Sequence, residues 1–303
     1  MQLTQLDGQT WVIQGGANIG VIAYEDRCLI IDSGMDKDAG RDILNQVKKL
    51  GLTPGALLVT HAHADHFGGA QYLVRQTGLK VYATRVEAAV MSGPILEPLY
   101  LFSGAQPPRE LQHKFLLAKP CLVDTVLEGN EQAIDHIPLR VIPLPGHSIE
   151  QVGVAFGDTF FVGDAFLTPE ILDKHRIPFY SDIKAGLSTL ITLKTQIESF
   201  RHIVAGHGEI YTSAARANEA ITYMIERLES ILDVIRAALA DGQARPAADI
   251  LRIVANAQGV QIQALPQFVL YNTTVQAALS TLSAQGEISP LFQDNSLVWR
   301  MTR

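Results

Sequence analysis

Cysteine is scarce in this chain. Cys28 and Cys121 are the only two among 303 residues, and neither stands in a CxxC pair. No disulfide framework and no thiolate metal knot can be assembled from them, and a reducing compartment fits. Cys28 lies in the apolar strand pattern RCLIID, where a buried thiol is expected. Long apolar runs are also missing: no stretch approaches the roughly 18 uninterrupted apolar residues of a spanning helix. The opening MQLTQLDGQTW lacks the basic-then-apolar order of a secretory leader, so a soluble, cytoplasmic protein is expected. Positive charge is in deficit, with 24 Lys and Arg against 31 Asp and Glu and a net charge of −7. That balance disfavours a protein that binds by neutralising phosphates over a wide surface.

Apolar residues are plentiful. At 47% hydrophobic and 18% charged, the chain has the material for a compact core of one large domain with an appendage, or of two domains. WVIQ, IGVIAY and CLIID read as strands separated by the turn chemistry of GGAN and EDR, and residues 37–50 carry apolar side chains at helical spacing before Gly51. ALLVT at 56–60 reads as a buried strand, AQYLVRQTG as a helix and KVYAT as the next strand. Residues 92–129 break this rhythm with prolines and aromatics and read as a lid or pocket wall. Strands resume at LRVIPL, VGVAFG and DTFFVGDAFL. An amphipathic helix from Ser181 to Phe200 then leads into the strand HIVAGH, and a long helix begins near Asn218. The alternation implies a layered α/β domain.

One segment carries chemistry: Thr60-His61-Ala62-His63-Ala64-Asp65-His66. Residues two apart on extended backbone point the same way, so His61 and His63 can offer nitrogens to one ion, while Asp65 and His66 sit where the chain turns into a helix. Imidazole and carboxylate without thiolate suit zinc, manganese or iron. At this composition a chance HxHxDH is expected about four times in ten thousand such chains. Three later residues stand in Gly-flanked loops at strand ends: His147 in LPGHS, Asp164 in FFVGDAFL and His207 in VAGHGEIY. Glycine beside each lets backbone approach an ion closely.

This order of motifs resembles the metallo-β-lactamase-fold hydrolases, in the branch of glyoxalase II and related thioesterases, lactonases and phosphodiesterases, over roughly residues 1–215. The resemblance implies a four-layer αββα sandwich and two divalent metal ions, zinc foremost, with manganese or iron as alternatives. It places His61, His63 and His147 on the first ion and Asp65, His66 and His207 on the second, with Asp164 bridging. Asp65 and Asp164 are then the catalytic carboxylates, and Asp32 in LIIDSG orients a ligand. The implied reaction is hydrolysis of a small ester, thioester or related substrate. Two alternatives within the superfamily are a sulfur dioxygenase with a single iron and a nucleic-acid-processing phosphodiesterase.

Departures from the pattern narrow the substrate. The last lysine is Lys194, so the basic clamp with which glyoxalase II holds glutathione is missing, and Leu167 occupies the position where lactonases of the superfamily carry tyrosine. Tyr100, Phe102 and Phe115, in the segment from Pro98 to Phe115, are the expected substrate wall, with His175 and Tyr180 as further contacts. Residues 216–303 read as a long linking helix followed by two helices and a hairpin, an order that resembles a winged-helix module. Its last helix carries no basic residue, and residues 221–303 hold six arginines against seven carboxylates. The module is therefore expected to pack on the catalytic domain or on a second subunit of a homodimer, and nucleic acid is not the expected partner.

Overall fold

The computed structural model describes residues 1–302. Its first sheet has seven strands in chain order: β1 (Gln2–Gln5), β2 (Thr10–Gln14), β3 (Asn18–Tyr24), β4 (Arg27–Ile31), β5 (Thr53–Leu58), β6 (Lys80–Thr84) and β7 (Thr125–Leu127). Tight turns make β1 to β4 antiparallel. Helical crossovers make β4 to β7 parallel. These crossovers contain α1 (Lys37–Lys49), α2 (Ala64–Phe67), α3 (Ala70–Thr77), α4 (Arg85–Ser92) and α5 (Leu96–Leu101). A small hairpin of β8 (Ala133–Ile134) and β9 (Ile137–Pro138) precedes the second sheet. That sheet runs β10 (Arg140–Pro143), β11 (Val152–Phe156), β12 (Thr159–Gly163), β13 (His202–Ala205) and β14 (Ile210–Tyr211). Outside it pack α6 (Pro169–His175), α7 (Ile183–Gln196) and α8 (Ala214–Leu239).

Side-chain alternation shows why two sheets stack between helices. In β4, Cys28 and Ile30 face α1 and its neighbours, while Leu29 and Ile31 face the second sheet. In β12, Phe160 and Val162 face the outer helices and Phe161 the first sheet. A strand buried on both faces must be apolar at every position, which accounts for the continuous runs CLII and TFFV. The result is the expected αββα order of layers. Cys28 is buried, and burial pushes its thiol up to about 12, a structural cysteine.

The C-terminal region comprises β15 (Arg245–Pro246), α9 (Ala247–Ala257), α10 (Leu265–Ala284), β16 (Ile288–Gln293) and β17 (Ser296–Met301), with a small sheet in the order β15-β17-β16. Its apolar side chains merge with those of α7 and α8 in one core that runs from Leu144 to Ile288. Among the described residues, no helix is long and apolar enough to cross a membrane.

Several details differ from the sequence reading. Strand β5 begins at Thr53 and stops at Leu58, because the Thr60 amide is captured by the Asp32 carboxylate instead of a neighbouring strand. Strand β1 and helices α4 and α6 were not expected. The irregular stretch from residue 92 contains α5, whose Pro98 is tolerated because it stands in the first turn.

Candidate metal centre

The carboxyl ends of β4, β5, β10, β12 and β13 all point to one edge of the sandwich, since β10 and β12 are both antiparallel to β11 and β12 is parallel to β13. Asp32 follows β4, His61 and His63 follow β5, His147 follows β10, Asp164 follows β12 and His207 follows β13. Asp65 and His66 lie in α2, which starts directly after His63. The topology thus delivers to one spot seven donors that span 146 positions of sequence, from 61 to 207.

Their donor atoms form three overlapping groups, His61/His63/His147, His61/His66/Asp164 and Asp65/His66/His207, within each of which the atoms lie within 4.8 Å of one another. His63 Nδ1 and His147 Nε2 are 2.9 Å apart, and His66 Nε2 and His207 Nε2 are 3.2 Å apart. Asp164 stands between the groups, its Oδ1 3.5 Å from His66 Nε2 and its Oδ2 3.6 Å from His147 Nε2 and 3.4 Å from His207 Nε2. The His207 ring also lies 3.3 Å from Asp65 Oδ2.

The ring nitrogens facing away from this cluster are tied down. His66 Nδ1 donates to Asp32 Oδ2 at 2.8 Å, and the Thr60 hydroxyl donates to the same oxygen at 2.9 Å. Because that hydroxyl proton is committed to Asp32, its oxygen accepts from His61 Nδ1 at 3.1 Å. His147 Nδ1 donates to the Phe179 carbonyl at 3.0 Å, and His207 Nδ1 to the Gly16 carbonyl at 2.6 Å. Each of these four rings therefore carries its proton on Nδ1 and turns an Nε2 lone pair inward, the arrangement of a preorganised metal ligand. Asp32 reaches its three partners from a left-handed backbone, φ 63°, just beyond β4.

Inside the cluster, His61 Nε2 and Asp164 Oδ1 are buried with no hydrogen-bond partner. His66 Nε2 and His207 Nε2, each on a ring whose Nδ1 proton is committed elsewhere, bring two lone pairs to 3.2 Å of one another and repel unless a proton or a cation lies between them, so these donors fit divalent ions. Burial holds His61 well below the ordinary imidazole range and pushes His63 down to about 3, with the neighbouring His147 adding to the effect. Burial also works against a charged His207, but the Asp164 carboxylate outweighs it and raises that ring to about 10. Asp164 is held well below the carboxylate range because the adjacent His207 and His66 override its burial. The carboxylates thus draw protons onto the His207 and His66 rings, positive charge that bound cations would supply in their place.

Glycine makes the approach possible. A Cβ on Gly206 would lie 2.0 Å from Asp164 Oδ1, and one on Gly146, whose φ is 134°, would lie 2.3 Å from the Gly186 Cα.

Three supporting residues escaped the sequence reading. Glu87 on α4 accepts from the amide of Ala62 at 2.8 Å and of Glu150 at 3.2 Å, and from the Ser148 hydroxyl. It ties the loop of His61 and His63 to the loop of His147. Asn18, at the start of β3, donates its side-chain amide to the carbonyls of Ala205 and Gly208 on either side of His207. Phe179 sets its ring edge-on to both His63 and His147. His and Asp in an HxHxDH loop announce themselves by spacing, whereas these three lie far from the motif in sequence, and only their polar or aromatic type at strand and helix ends hinted at a role.

A cleft of about 510 Å³ opens over the cluster, walled by Asp65, Asp164, Lys174, His175 and Tyr271 among others. His175 therefore lies beside the site. Tyr100 lines a second, apolar hollow next to His63. The other expected contacts are corrected. Tyr180 is fully buried behind the site, its hydroxyl donating to the Ala165 carbonyl at 2.6 Å. Phe102 packs with Leu101, Leu111, Leu116 and Val269 and lines neither the cleft nor the hollow. Phe115 is 58% exposed beside His113 and Lys114. Aromatic composition marked that stretch as a wall, but only the turn of α5 faces the site.

Residues 12–216 match the metallo-beta-lactamase superfamily. The chain belongs to that superfamily. A beta-lactamase hydrolase-like protein of Xylella fastidiosa is 31% identical over 160 residues, covering 48% of this chain and 33% of that protein, so the chain spans about a third of that relative's length. The probable metallo-hydrolase YqgX of Bacillus subtilis is 31% identical over 156 residues, 48% of this chain and 67% of that one. A beta-lactamase domain protein of known structure from Burkholderia ambifaria shares the fold, with a TM-score of 0.73 across 99% of this chain and 94% of its own at 18% identity. All seven donors lie within the superfamily region. Helix α10 lies beyond it, yet supplies Leu270 and Tyr271 to the cleft and Thr273 to the apolar hollow.

Proposed function

We propose that this protein is a hydrolase that uses two divalent cations, zinc first and manganese or iron as alternatives, on a small ester, thioester or related substrate. The observation that carries this reading is the set of inward-facing lone pairs, above all the unpartnered His61 Nε2 and Asp164 Oδ1. His61, His63 and His147 would hold one ion and Asp65, His66 and His207 the other, with Asp164 touching both. Two such ions, when bound, make water nucleophilic at neutral pH and polarise a carbonyl or phosphoryl oxygen. The chain's own part is positional. Asp32, Thr60 and the carbonyls of Gly16 and Phe179 hold four rings at fixed tautomer and angle, so no reorganisation is needed during turnover. Asp65, half-exposed on the cleft wall, is the carboxylate placed to carry a proton to a leaving group.

Two donor sets, each with three protein groups, favour a pair of ions over the single iron of a sulfur dioxygenase. The helix that a winged-helix reader would lay on nucleic acid is α10. Its Thr274, Val275, Ala278, Leu279 and Leu282 are buried, which supports a packing role and a small-molecule substrate.

Metal analysis of protein purified without chelator, followed by ester, thioester, lactone and phosphodiester panels on the loaded protein, tests the reading. Two ions per chain and hydrolysis are expected, with turnover abolished by His61→Ala or Asp164→Ala and ion content lowered by Asp164→Ala. One iron per chain with oxygen uptake on a persulfide would replace hydrolysis by oxidation.

A further inference from the structure

Two hollows of unlike chemistry meet at the donor cluster, and His147 and Phe179 belong to the walls of both. The cleft on the Asp65 side carries Glu170, Lys174 and His175. The hollow on the His63 side, about 360 Å³, is walled by Val86, Val90, Leu99 and Phe179. Its lip is apolar too: Leu96 is 38% exposed, Tyr100 44% and Ile149 61%. Aliphatic surface left in water beside a reactive centre is covered favourably by an apolar group of whatever that centre acts on.

We propose that this hollow receives the acyl chain of the substrate, an ester or thioester of an unbranched apolar acid on the order of six to ten carbons, scaled from the roughly 150 Å³ that holds a benzene ring. The inference rests on the hydrolase reading and narrows it. In the reaction, water adds across the bond from the acyl carbon to oxygen or sulfur. That bond breaks, the water oxygen joins the acyl carbon, one proton goes to the departing oxygen or sulfur, and the other is released from the new acid. The departing atom carries negative charge until it is protonated, and expelling it into an apolar hollow would strip that charge of solvent. The cleft, with its charged walls, solvates it. The leaving group therefore points to the Asp65 side and the acyl chain to the His63 side.

Ethyl esters from acetate to dodecanoate, hydrolysed by cation-loaded protein, test the length. Ethyl octanoate against its isomer octyl acetate tests the direction. Calorimetry with octanamide and acetamide reads binding without turnover. kcat/KM is expected to climb about three- to fourfold per methylene until the hollow is filled. Ethyl octanoate should outrun octyl acetate at least tenfold, and octanamide should bind at concentrations where acetamide does not. Ala89→Trp adds bulk at an exposed position lining the hollow, and Leu99→Trp is a second blocking variant. Either should flatten the length dependence by lowering kcat/KM for the longer esters. Hydrolysis of ethyl acetate with no gain from longer acids, or a preference for octyl acetate, overturns the acyl-pocket assignment and spares the hydrolase. Octanamide binding on a loaded protein that cleaves no ester or thioester overturns the hydrolase reading and the acyl assignment with it.

Discussion

Glu87 Oε2 accepts the amide of Ala62 at 2.8 Å, and Ala62 is the residue between His61 and His63. The other oxygen of the same carboxyl takes the Ser148 hydroxyl and the Glu150 amide, next to His147. One buried side chain on α4 thus holds three imidazoles from two sheets in register. Glu87→Ala should weaken cation binding by about 10- to 100-fold, the usual effect of removing an outer partner of metal ligands. Glu87→Gln keeps one carbonyl oxygen as an acceptor and should recover part of that loss. Competition titration against a chelator gives both affinities. Equal affinity in Glu87→Ala and the parent protein would show that the clamp is dispensable.

Gly206 is a position where a single methyl decides metal content. A Cβ there would stand 2.0 Å from Asp164 Oδ1 and 2.9 Å from His66 Cε1. Gly206→Ala should fold, because the surrounding strands are untouched, and lose most of its bound cation. Elemental analysis beside circular dichroism separates the two effects; full metal content in the variant would contradict the geometry.

Stability should respond to pH through Glu97 on α5. Its carboxyl is buried, and burial, together with the Asp65 and Glu87 charges, holds it well above the ordinary glutamate value of 4.5. Below that value both folded and unfolded chains are protonated and the residue costs nothing. As pH rises, the unfolded chain gives up its proton first, so this contribution to stability falls until the raised folded value is passed and then stays constant. Glu97→Gln should match the parent in Tm near pH 4.5 and exceed it by about 2 °C or more at pH 8. A Tm difference that does not grow between those pH values would refute the burial argument.

Tyr180→Phe should report on folding and leave catalysis alone. The hydroxyl donates to the Ala165 carbonyl inside the core, so its removal strands a buried acceptor and costs about 1 to 3 kcal/mol. KM should stay within twofold in steady-state kinetics. A large rise in KM with unchanged stability would return Tyr180 to the substrate.

The ligand loops were legible because four donors fall within six residues, and the later ones because glycine marks strand ends where the backbone crowds an ion. Glu87, Asn18 and the carbonyls of Gly16 and Phe179 were not. A carbonyl accepts whatever its side chain, and contacts spanning dozens to nearly two hundred residues leave no local spacing. Helix α4 was missed because KVYAT runs into RVEAAVMS with no turn residue, whereas α6 had a readable start in Thr168-Pro169, proline at the first helical turn. Phe102, Phe115 and Tyr180 show the limit of composition: an aromatic residue signals burial or a wall, but which face it turns to is settled by the packing of α5 and α10.

Helix α10 lies outside the superfamily region and still reaches both hollows through Leu270, Tyr271 and Thr273. The donors and a part of the wall around them are therefore encoded in separate stretches of the gene. A chimera that grafts a foreign version of residues 265–284 onto an intact first 216 residues would keep all seven donors and most of both walls, and would isolate how far three contacts from α10 bias what is cleaved.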